Sequence, residues 1–369
     1  MIRVLHIIQQ LGPGRGGVRT FVSTMLDCPA PDIEQSVLSV GRVEGDRFGE
    51  RFFGPLIDSY SPLLVGTLGA KRLGAFLSKH RFDIIQIHTN NALGFVFASE
   101  AKKAGVPSRI VHCHNSALGS TSSLKNMVNV AMIERFLPAA SERWACSEVA
   151  GEYLFRGAGY ALVHNGVDSD KFRFSPSDRA AVRHRLGIPG NATVIGFVGA
   201  GIPAKNTLRA LDIFNQLRSS EADSRLLLFG QAEELPLAKE KAAELWLGES
   251  AVFIGTVDDI WRYYSAMDAL LAPSFHEGLP IAFIEAQANG LPILSSDAVT
   301  QEADLTGLLQ RAGLSLSDRE WADLLQACAG KREITAKVDY VPFLDKAGYT
   351  TRSLYEQLSD RYRNMTKGA

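Results

Sequence analysis

Two glutamates with seven residues between them are the side chains of the sequence best placed to do chemistry. Glu277 and Glu285 lie in the stretch LAPSFHEGLPIAFIEAQANGLPILSSD, and a Gly-Leu-Pro turn follows Glu277 directly. Carboxylates accept hydrogen bonds from hydroxyl groups, and free amides at the start of a helix bind phosphate. Because the two carboxylates cannot contact one atom, their spacing suits a nucleoside-diphosphate sugar with its anion between them. The competing interpretation is a solvated helix with scattered acids, which the apolar flanks disfavour.

The apolar flanks predict the elements that position these two glutamates. The residues LL before the stretch and ILSS after it indicate short buried strands, and Pro280–Gly290 is predicted to be a helix. Pro280 suits the first turn of that helix, where no amide hydrogen bond is lost. Glu277 then lies in the strand-to-helix loop, where the backbone amides of Gly278 and Leu279 are expected to face an anion.

The same residues resemble the signature of the retaining glycosyltransferases of family 4, which have the GT-B fold. The matching segments are SFHEGLP, EAQANGLP and SSD. The resemblance implies that Glu277 is a catalytic residue that contacts hydroxyls of the donor sugar, and that Glu285 binds the ribose of the nucleotide. The longer run EAQANGLPILSSDAVTQEADL resembles in particular the branch that builds bacterial exopolysaccharide, capsule and similar surface glycans.

Composition sets the broad class of protein. With 369 residues, the chain is long enough for two domains of about 150 to 200 residues each. Hydrophobic residues make up 46% of the sequence and no apolar run is long enough to span a bilayer, so a cytoplasmic location is expected. The net charge of −1 disfavours nucleic acid as a partner, and the four cysteines do not have the spacing of a metal site.

Strand and helix patterns alternate along the chain, which predicts an α/β architecture with parallel sheets covered on both faces. Together with the resemblance, this indicates the GT-B fold, in which the parallel sheets of two Rossmann-like domains face each other across a cleft. The predicted parts are an acceptor-binding domain over residues 1–168, a nucleotide-sugar donor domain over 169–343, and a C-terminal helix over 344–369. That helix is predicted from Leu344 to Tyr362 and is expected to cross back to the first domain.

Glycines and one lysine mark the expected contacts to the donor. The first strand, IRVLHII, leads into a glycine-rich loop in which Gly16 and Gly17 allow a phosphate to approach the backbone, although such a loop can also merely turn the chain. Lys205 lies near a helix start, where a cation is unfavourable unless it meets an anion, so it is expected to bind the diphosphate. The resemblance also implies a nucleotide contact at Gly230.

One position departs from the family pattern. The family usually has an arginine directly after the first strand of the second domain, and Ala200 stands there in this chain. Without that arginine, a diphosphate loses charge-assisted hydrogen bonds, each of which contributes about 1.5–3 kcal/mol. Either another cation such as Arg15 or Arg19 compensates, or the leaving group is held more weakly, or the protein is catalytically degenerate.

Histidines and asparagines follow the predicted strands of the first domain. His88 ends the strand IIQIH, and His112 and His114 lie at the end of the next strand, in VHCHN. The resemblance favours a catalytic role for His114 and a cleft position for Asn115, whereas His88 is a weaker candidate for the cleft. His112 is predicted to point to the opposite side of its strand and to be structural. Asn165, in the linker HNGVD, is expected to form a tight turn that faces the cleft.

A predicted helix within residues 120–137 has Leu124 and Met127 on one side at helical spacing. The direct explanation is packing on its own domain. Because the acceptors of the family are often lipid-linked, the resemblance also implies peripheral contact with the inner-membrane surface, with Lys125 and Arg135 facing anionic headgroups.

The function expected from these observations is transfer of a hexose from a nucleotide-sugar donor, with retention at the anomeric carbon, to a glycan or lipid-linked acceptor. A UDP-sugar is favoured over a GDP-sugar as donor, although the sequence itself does not identify the base. No cofactor is expected, and no metal, because no Asp-x-Asp cluster follows a strand. The alternatives are a non-catalytic or partner-dependent subunit, which Ala200 permits, and a sugar-nucleotide epimerase of the same fold.

Overall fold

Apolar runs such as IRVLHII and RLLLF lack polar alternation, which is the pattern of strands buried on both faces of a parallel sheet. The computed structural model of the chain agrees, because every strand pairing in the part that it describes is parallel. The described residues are 1–9, 17–43, 48–114, 123–199, 201–230, 235–277 and 279–367.

The described residues form two units. The first unit comprises the described parts of Met1–Gly166 and Thr351–Ala369, and the second unit those of Val167–Thr350. The chain therefore leaves the first unit once and returns to it for its last helix.

The strands are numbered in chain order: β1 (Ile2–Ile8), β2 (Ile33–Ser39), β3 (Phe52–Phe53), β4 (Ile84–Thr89), β5 (Ser108–Cys113), β6 (Glu142–Ala145), β7 (Ala161–Leu162), β8 (Val194–Val198), β9 (Arg225–Phe229), β10 (Ala251–Gly255), β11 (Ala269–Ala272), β12 (Ile293–Ser296) and β13 (Leu309–Ala312).

The α-helices are numbered in the same way: α1 (Gly17–Leu26), α2 (Pro62–Leu64), α3 (Ala70–Lys79), α4 (Leu93–Lys103), α5 (Ser123–Phe136), α6 (Glu148–Phe155), α7 (Ser169–Phe172), α8 (Pro176–Arg185), α9 (Thr207–Ser220), α10 (Leu235–Glu244), α11 (Ile260–Ala266), α12 (Ile281–Ala288), α13 (Asp318–Ala329), α14 (Arg332–Thr335), α15 (Val341–Lys346) and α16 (Thr351–Lys367). None of the helices in the described ranges has the length and apolar character that crossing a bilayer requires.

The first unit is built on a seven-stranded sheet of order β3-β2-β1-β4-β5-β6-β7. Alternate side chains of β1 serve the two faces of this sheet. Leu5 and Ile7 pack in the core beneath α3, α4 and α6, and Val4 and Ile8 pack beneath α1 and α16. Because β1, β4 and β5 are neighbours, polar side chains at their carboxyl ends are brought together.

The second unit is built on a six-stranded sheet of order β10-β9-β8-β11-β12-β13. On one face α9 and α13 cover Phe197 and Leu271, and on the other α11 and α12 cover Leu270 and Ile293. The carboxyl ends of β8, β11 and β12 are adjacent, so the loops that follow β8 and β11 meet.

Two predicted helices differ from the observed ones. Pro280 is the N-cap of α12 and does not lie in its first turn, and the helix ends at Ala288. The single helix predicted over Leu344–Tyr362 is wrong, because α15 and α16 divide this stretch. Gly348 lies between them with a φ of +83°, a left-handed conformation that ends a helix and favours glycine.

Asp268 is a buried charge that ties α8 to the sheet of the second unit. Its carboxylate accepts from Arg179 Nη2 at 2.6 Å, from Arg183 Nη2 at 2.7 Å and from the Val194 amide at 2.7 Å. Arg183 is itself buried and donates from Nε to the Ala266 carbonyl oxygen at 3.0 Å. Removal of the carboxylate leaves a buried guanidinium without its countercharge.

We expect Asp268→Ala to lower the free energy of unfolding of the second unit by about 3–5 kcal/mol, the usual cost of removing one partner of a buried ion pair. Urea unfolding followed by circular dichroism measures this change. The matched control is Asp323→Ala, which breaks an exposed pair with Arg319 and is expected to cost less than about 1 kcal/mol. Equal costs for the two variants would show that Asp268 is not essential to the packing of this unit.

Candidate functional site

The carboxyl ends of β1, β4 and β5 bring four histidines together in the first unit. His88 and His112 are register partners on neighbouring strands, His6 lies on β1, and His114 directly follows β5. The ring centroids of His112 and His114 are 4.0 Å apart, and those of His6 and His88 are 5.3 Å apart. Phe21 of α1 contacts three of the rings and shields them from water. We call these four residues the histidine cluster.

Hydrogen bonds join three rings of the histidine cluster into a chain between two side-chain amides. His6 Nε2 lies 2.9 Å from Gln35 Oε1, and His6 Nδ1 lies 3.1 Å from His88 Nε2. His88 Nδ1 lies 2.8 Å from His114 Nε2, and His114 Nδ1 lies 3.2 Å from Asn165 Oδ1. Because each ring has a polar neighbour at both nitrogens, the chain restricts the orientation of His114 at its end.

The rings of the cluster are neutral at pH 7. Burial lowers the pKa of His6 and of His114 to about 4, and it holds the pKa values of His88 and His112 well below their ordinary value. A neutral imidazole offers a lone pair, so these rings can accept a hydrogen bond from a hydroxyl group or bind a metal ion.

The structure brings together His88, His114 and Asn165, three residues that the sequence suggested separately. Their roles in catalysis or in an acceptor site remain predictions. The prediction that His112 points away from His114 is wrong, because side chains two residues apart on a strand lie on the same face. The ring of His112 therefore stands beside that of His114.

Glu277 and Lys205 form an ion pair in the second unit. Lys205 ends the short 3₁₀ turn Pro203–Lys205 that follows β8, and Glu277 lies in the loop that follows β11, the neighbouring strand. Only 20% of the lysine side chain and 8% of the glutamate side chain are exposed. Ser274 Oγ donates to Glu277 Oε1 at 2.6 Å, so both oxygens of the carboxylate are engaged.

Gly199 and Asn206 shape the loops around this ion pair. Gly199 has a φ of +102°, and carbons of the Lys205 side chain lie 3.0 Å from the place a β-carbon would occupy. The lysine can therefore lie across the end of β8 only because residue 199 has no side chain. Asn206 Nδ2 donates to the Pro273 carbonyl oxygen at 3.1 Å and joins the two loops.

Glu285 has a different set of neighbours. It lies on α12, half-buried, and accepts a hydrogen bond of 2.8 Å from the hydroxyl of Tyr264. Burial, together with the charge of Glu285, raises the pKa of Tyr264 well above its ordinary value, so the hydroxyl stays protonated and donates. The two glutamates are therefore held by separate partners, as their spacing requires.

The remaining predicted contacts fall on backbone rather than on side chains. Gly17 begins α1 and is exposed, and the Gly230 amide at the end of β9 donates to the Gly255 carbonyl oxygen at 3.2 Å. The side chain of Leu279 packs against the core, so only its backbone is available to a ligand. Of the residues that the sequence analysis names, Arg15, Gly16, Asn115, Ala200 and Gly278 lie outside the described part of the chain.

Four side chains of these arrangements were not predicted from the sequence. His6 interrupts a strand that is otherwise largely apolar, and a polar residue in such a strand signals a buried hydrogen-bonding partner. Gln35 lies on β2 among other polar residues, so its sequence context gives no such signal. Ser274 lies three residues before Glu277 in one loop, a spacing that suits a local hydrogen bond. Tyr264 carries no such signal, because its contact with Glu285 arises only from helix packing.

Two family profiles match the chain. The profile of the glycosyl transferases group 1 matches residues 178–327, and that of glycosyltransferase family 4 matches residues 15–171. Between them the two profiles cover most of the sequence.

Individual proteins show the same likeness. EpsF of Bacillus subtilis (strain 168), assigned to the glycosyltransferases, is 29% identical over 99% of this chain and 97% of its own. The UDP-Gal:α-D-GlcNAc-diphosphoundecaprenol α-1,3-galactosyltransferase of Escherichia coli is 26% identical over 67% of this chain and 66% of its own. The crystal structure of Anabaena HepE in complex with UDP-glucose superposes with a TM-score of 0.76 at 19% identity, over 99% of this chain and 100% of that one. At this identity the structural likeness establishes the fold.

We expect Lys205→Ala to destabilise the second unit by about 3 kcal/mol, because it leaves the Glu277 carboxylate buried without its countercharge. In a double-mutant cycle with Glu277→Ala, the double variant is expected to cost less than the sum of the two single variants, by about 1–3 kcal/mol. Urea unfolding measures each corner of the cycle. The same cycle on the exposed pair Arg319–Asp323 is the control and should give a coupling below about 1 kcal/mol. A coupling near zero for Lys205 and Glu277 would contradict the ion pair.

Proposed function

Because the chain belongs to the family 4 glycosyltransferases and has the GT-B fold, we propose that it transfers a sugar from a UDP-sugar with retention of anomeric configuration and without a metal ion. The acceptor on this proposal is a glycan or lipid-linked glycan of bacterial surface polysaccharide synthesis. The observation that carries the proposal is the ion pair of Lys205 and Glu277 at the carboxyl ends of β8 and β11. This pair places an ammonium group that can bind a diphosphate beside a carboxylate that can accept hydrogen bonds from sugar hydroxyls.

Glu277 orients the donor sugar on this proposal. Its Oε1 is held by the Ser274 hydroxyl, and its Oε2 is bonded to Lys205. When a diphosphate binds, Lys205 is shared with the phosphate oxygens, and Oε2 becomes an acceptor for a sugar hydroxyl. Lys205 then stabilises the negative charge that develops on the leaving diphosphate.

The geometry of Glu277 favours a front-face reaction over a covalent intermediate. A carboxylate whose two oxygens are engaged by a hydroxyl and an ammonium group is a weak nucleophile. In the front-face reaction the bond between the anomeric carbon and the diphosphate breaks, a bond to the acceptor oxygen forms on the same side, and the acceptor proton passes to a phosphate oxygen. His114 Nδ1, which faces Asn165 Oδ1 in the free protein, accepts a hydrogen bond from a sugar or acceptor hydroxyl in place of that contact.

Glu285 binds the ribose of the nucleotide on this proposal, with its carboxylate oriented by Tyr264. Uridine as the base is supported by the named ligand of Anabaena HepE, which is UDP-glucose, and by the named donor of the Escherichia coli relative, which is UDP-galactose. A lipid-linked acceptor is supported by the diphosphoundecaprenol in that relative's name.

We expect Glu277→Gln to lower kcat about 10²- to 10³-fold with little change in the KM for the donor, because the lost contact acts mainly on the reacting sugar. Glu285→Gln is expected to raise that KM about tenfold and to change kcat less, because ribose binding contributes equally before and during the reaction. The assay uses UDP-galactose and UDP-glucose with GlcNAc-diphosphoundecaprenol, and the product is examined by proton NMR for anomeric configuration.

Glu240→Gln, on the exposed side of α10, is the matched control for both glutamate variants. Thermal-shift titration with UDP, GDP and their sugar conjugates tests donor binding separately from transfer. A wild-type protein that is stabilised by no nucleotide at millimolar concentration would support the non-catalytic subunit instead. Conversion of the donor sugar without any acceptor would support the epimerase, and an inverted product would overturn retention.

We also propose that α5 contacts an anionic membrane surface, which would make the protein peripheral on the cytoplasmic side of the inner membrane. Leu124 and Met127 are 65% and 64% exposed, which is unusual for side chains of this size, and Val128 beside them is 50% exposed. Lys125 lies among them at the same end of the helix. Exposed apolar side chains beside a lysine can bind anionic lipid through apolar burial and charge together.

We expect Leu124→Gln/Met127→Gln to weaken binding to phosphatidylglycerol vesicles at least tenfold, because burial of each apolar side chain contributes about 1.5 kcal/mol or more. Vesicle co-sedimentation measures the binding, with phosphatidylcholine vesicles to separate the contribution of charge. The control is Leu237→Gln, which makes the same kind of substitution at an exposed leucine on α10 of the second unit. Unchanged binding of the double variant would exclude α5 as the contact.

A further inference from the structure

Three rings of the histidine cluster are arranged like metal ligands. His88, His112 and His114 each offer one ring nitrogen, and these nitrogens all lie within 4.8 Å of one another. The residues come from two neighbouring strands and the position directly after one of them, so the sheet sets their spacing. Imidazole ligands without carboxylates suit Zn²⁺, Cu²⁺, Ni²⁺ or Co²⁺ better than Mg²⁺ or Ca²⁺.

The hydrogen-bond chain through the cluster lacks one proton. Gln35 Oε1 can only accept, because the amide nitrogen of Gln35 donates to the Met25 carbonyl oxygen. Starting from that end, His6 Nε2 carries a proton, and each following ring donates toward Gln35 in turn. Three neutral rings have three N–H groups for the four links of the chain. The last link, from His114 Nδ1 to Asn165 Oδ1, therefore joins two acceptors.

Two arrangements remove this mismatch. In the first, the Asn165 amide is turned so that its nitrogen donates to His114, and protons alone complete the chain. In the second, a cation replaces the proton between His88 Nδ1 and His114 Nε2. His114 Nδ1 then carries a proton that it donates to Asn165 Oδ1, and His88 Nε2 donates to His6 Nδ1.

His112 distinguishes the two arrangements. Its Nε2 atom is buried and has no well-formed hydrogen bond among the described residues, although the Val163 backbone lies near enough to the ring to oppose the lowering of its pKa. A buried ring nitrogen without a partner is costly and calls for an explanation. The arrangement with protons alone leaves this nitrogen unpaired, whereas a cation shared with His88 and His114 makes it a ligand.

We propose that His88, His112 and His114 bind one divalent transition-metal ion, with Zn²⁺ best suited to a three-histidine set. Zn²⁺ holds its nitrogen ligands at about 2.0–2.1 Å, which in a tetrahedron separates two ligand nitrogens by about 3.3 Å. His88 Nδ1 and His114 Nε2 are 2.8 Å apart, so small side-chain rotations are sufficient. His114 is only partly buried, and on this proposal water or another ligand takes the fourth position.

Groups behind two of the ligands are in place for this role. Metal-binding histidines usually donate their other N–H to an oxygen or nitrogen acceptor that fixes the ring. His88 donates to His6, which donates to Gln35, and His114 donates to Asn165. His6 and Gln35 are thus positioning residues for the metal site.

The group behind His112 must change orientation. Gln86 Nε2 donates to His112 Nδ1 at 2.8 Å, and Gln86 Oε1 accepts from the Tyr362 hydroxyl. For His112 to bind metal through Nε2, the Gln86 amide turns over and its oxygen accepts from Nδ1–H. The Tyr362 hydroxyl then loses its acceptor, which weakens the site in the native protein.

The metal site shares His114 with the proposed transfer reaction, in which no step uses a metal ion, so it is tested through metal binding and without a transfer assay. The experiment uses the full chain without an affinity tag, stripped by a chelator and titrated with Zn²⁺ against a chromophoric competitor. The wild type is expected to bind one equivalent. His88→Gln, His112→Gln and His114→Gln are each expected to weaken binding at least tenfold, whereas His80→Gln, at an exposed position of the same unit, has no effect.

Gln86→Glu provides a test in the opposite direction. A carboxylate at this position accepts from the Tyr362 hydroxyl and from His112 Nδ1–H together, so Zn²⁺ is expected to bind at least tenfold tighter than in the wild type. Circular dichroism confirms that each variant is folded. Where a histidine variant does not fold, ¹⁵N NMR of the wild-type rings with and without Zn²⁺ gives the answer. Ring signals that do not change, absence of a stoichiometric ion, or unchanged affinity of a folded His112→Gln overturns the proposal.

Discussion

Helices cover both faces of both parallel sheets, and this burial is the constraint on which the polar chemistry of the chain depends. A polar or charged group among such strands is costly unless another group pairs with it. Three polar arrangements of the described residues satisfy that requirement through a neighbouring strand or loop. Asp268 holds two arginines, Lys205 holds Glu277, and Gln35 begins the hydrogen-bond chain that ends near His114.

The same constraint makes these arrangements rigid. In the hydrogen-bond chain of the first unit, no ring can reverse its donor and acceptor nitrogens unless its neighbours do so as well. In the second unit, the Lys205 side chain lies across Gly199 and meets a carboxylate that Ser274 already holds. A group that is fixed before its ligand arrives loses little conformational freedom when it binds, and such preorganisation is the main way in which proteins stabilise developing charge.

The sequence was sufficient to predict the α/β class and the GT-B fold, because continuous apolar strands alternate with helices throughout the chain. The family signature around Glu277 was equally readable, since it is local. The residues at which helices begin and end were harder to predict. The last predicted helix is divided by Gly348, which has a left-handed conformation. The sequence pattern is helical on both sides of this glycine, so the break was not apparent. The side predicted for His112 was wrong although the strand period places residues 112 and 114 on one face, so this position was readable from the sequence and was misread.

Contacts between elements could not be predicted, because they depend on strand order. His6 meets His88 only because β1 lies beside β4, and Lys205 meets Glu277 only because β8 lies beside β11. The sequence suggested Lys205 for a diphosphate and Glu277 for a sugar, without indicating that the two side chains neutralise each other. That pairing changes how the donor site is understood.

A lysine already paired with a carboxylate offers a diphosphate less attraction than a free lysine, and the family's usual arginine is replaced by Ala200. Under the proposed function, the diphosphate must therefore compete with Glu277 for Lys205. The competition has a consequence for specificity, because Glu277 Oε2 is released toward a sugar hydroxyl only when a diphosphate takes its place at the ammonium group. A nucleotide without a sugar leaves Oε2 buried without a partner while Ser274 still holds Oε1, whereas the complete donor satisfies both oxygens. The ion pair thus makes binding of the diphosphate and orientation of the sugar one coupled event.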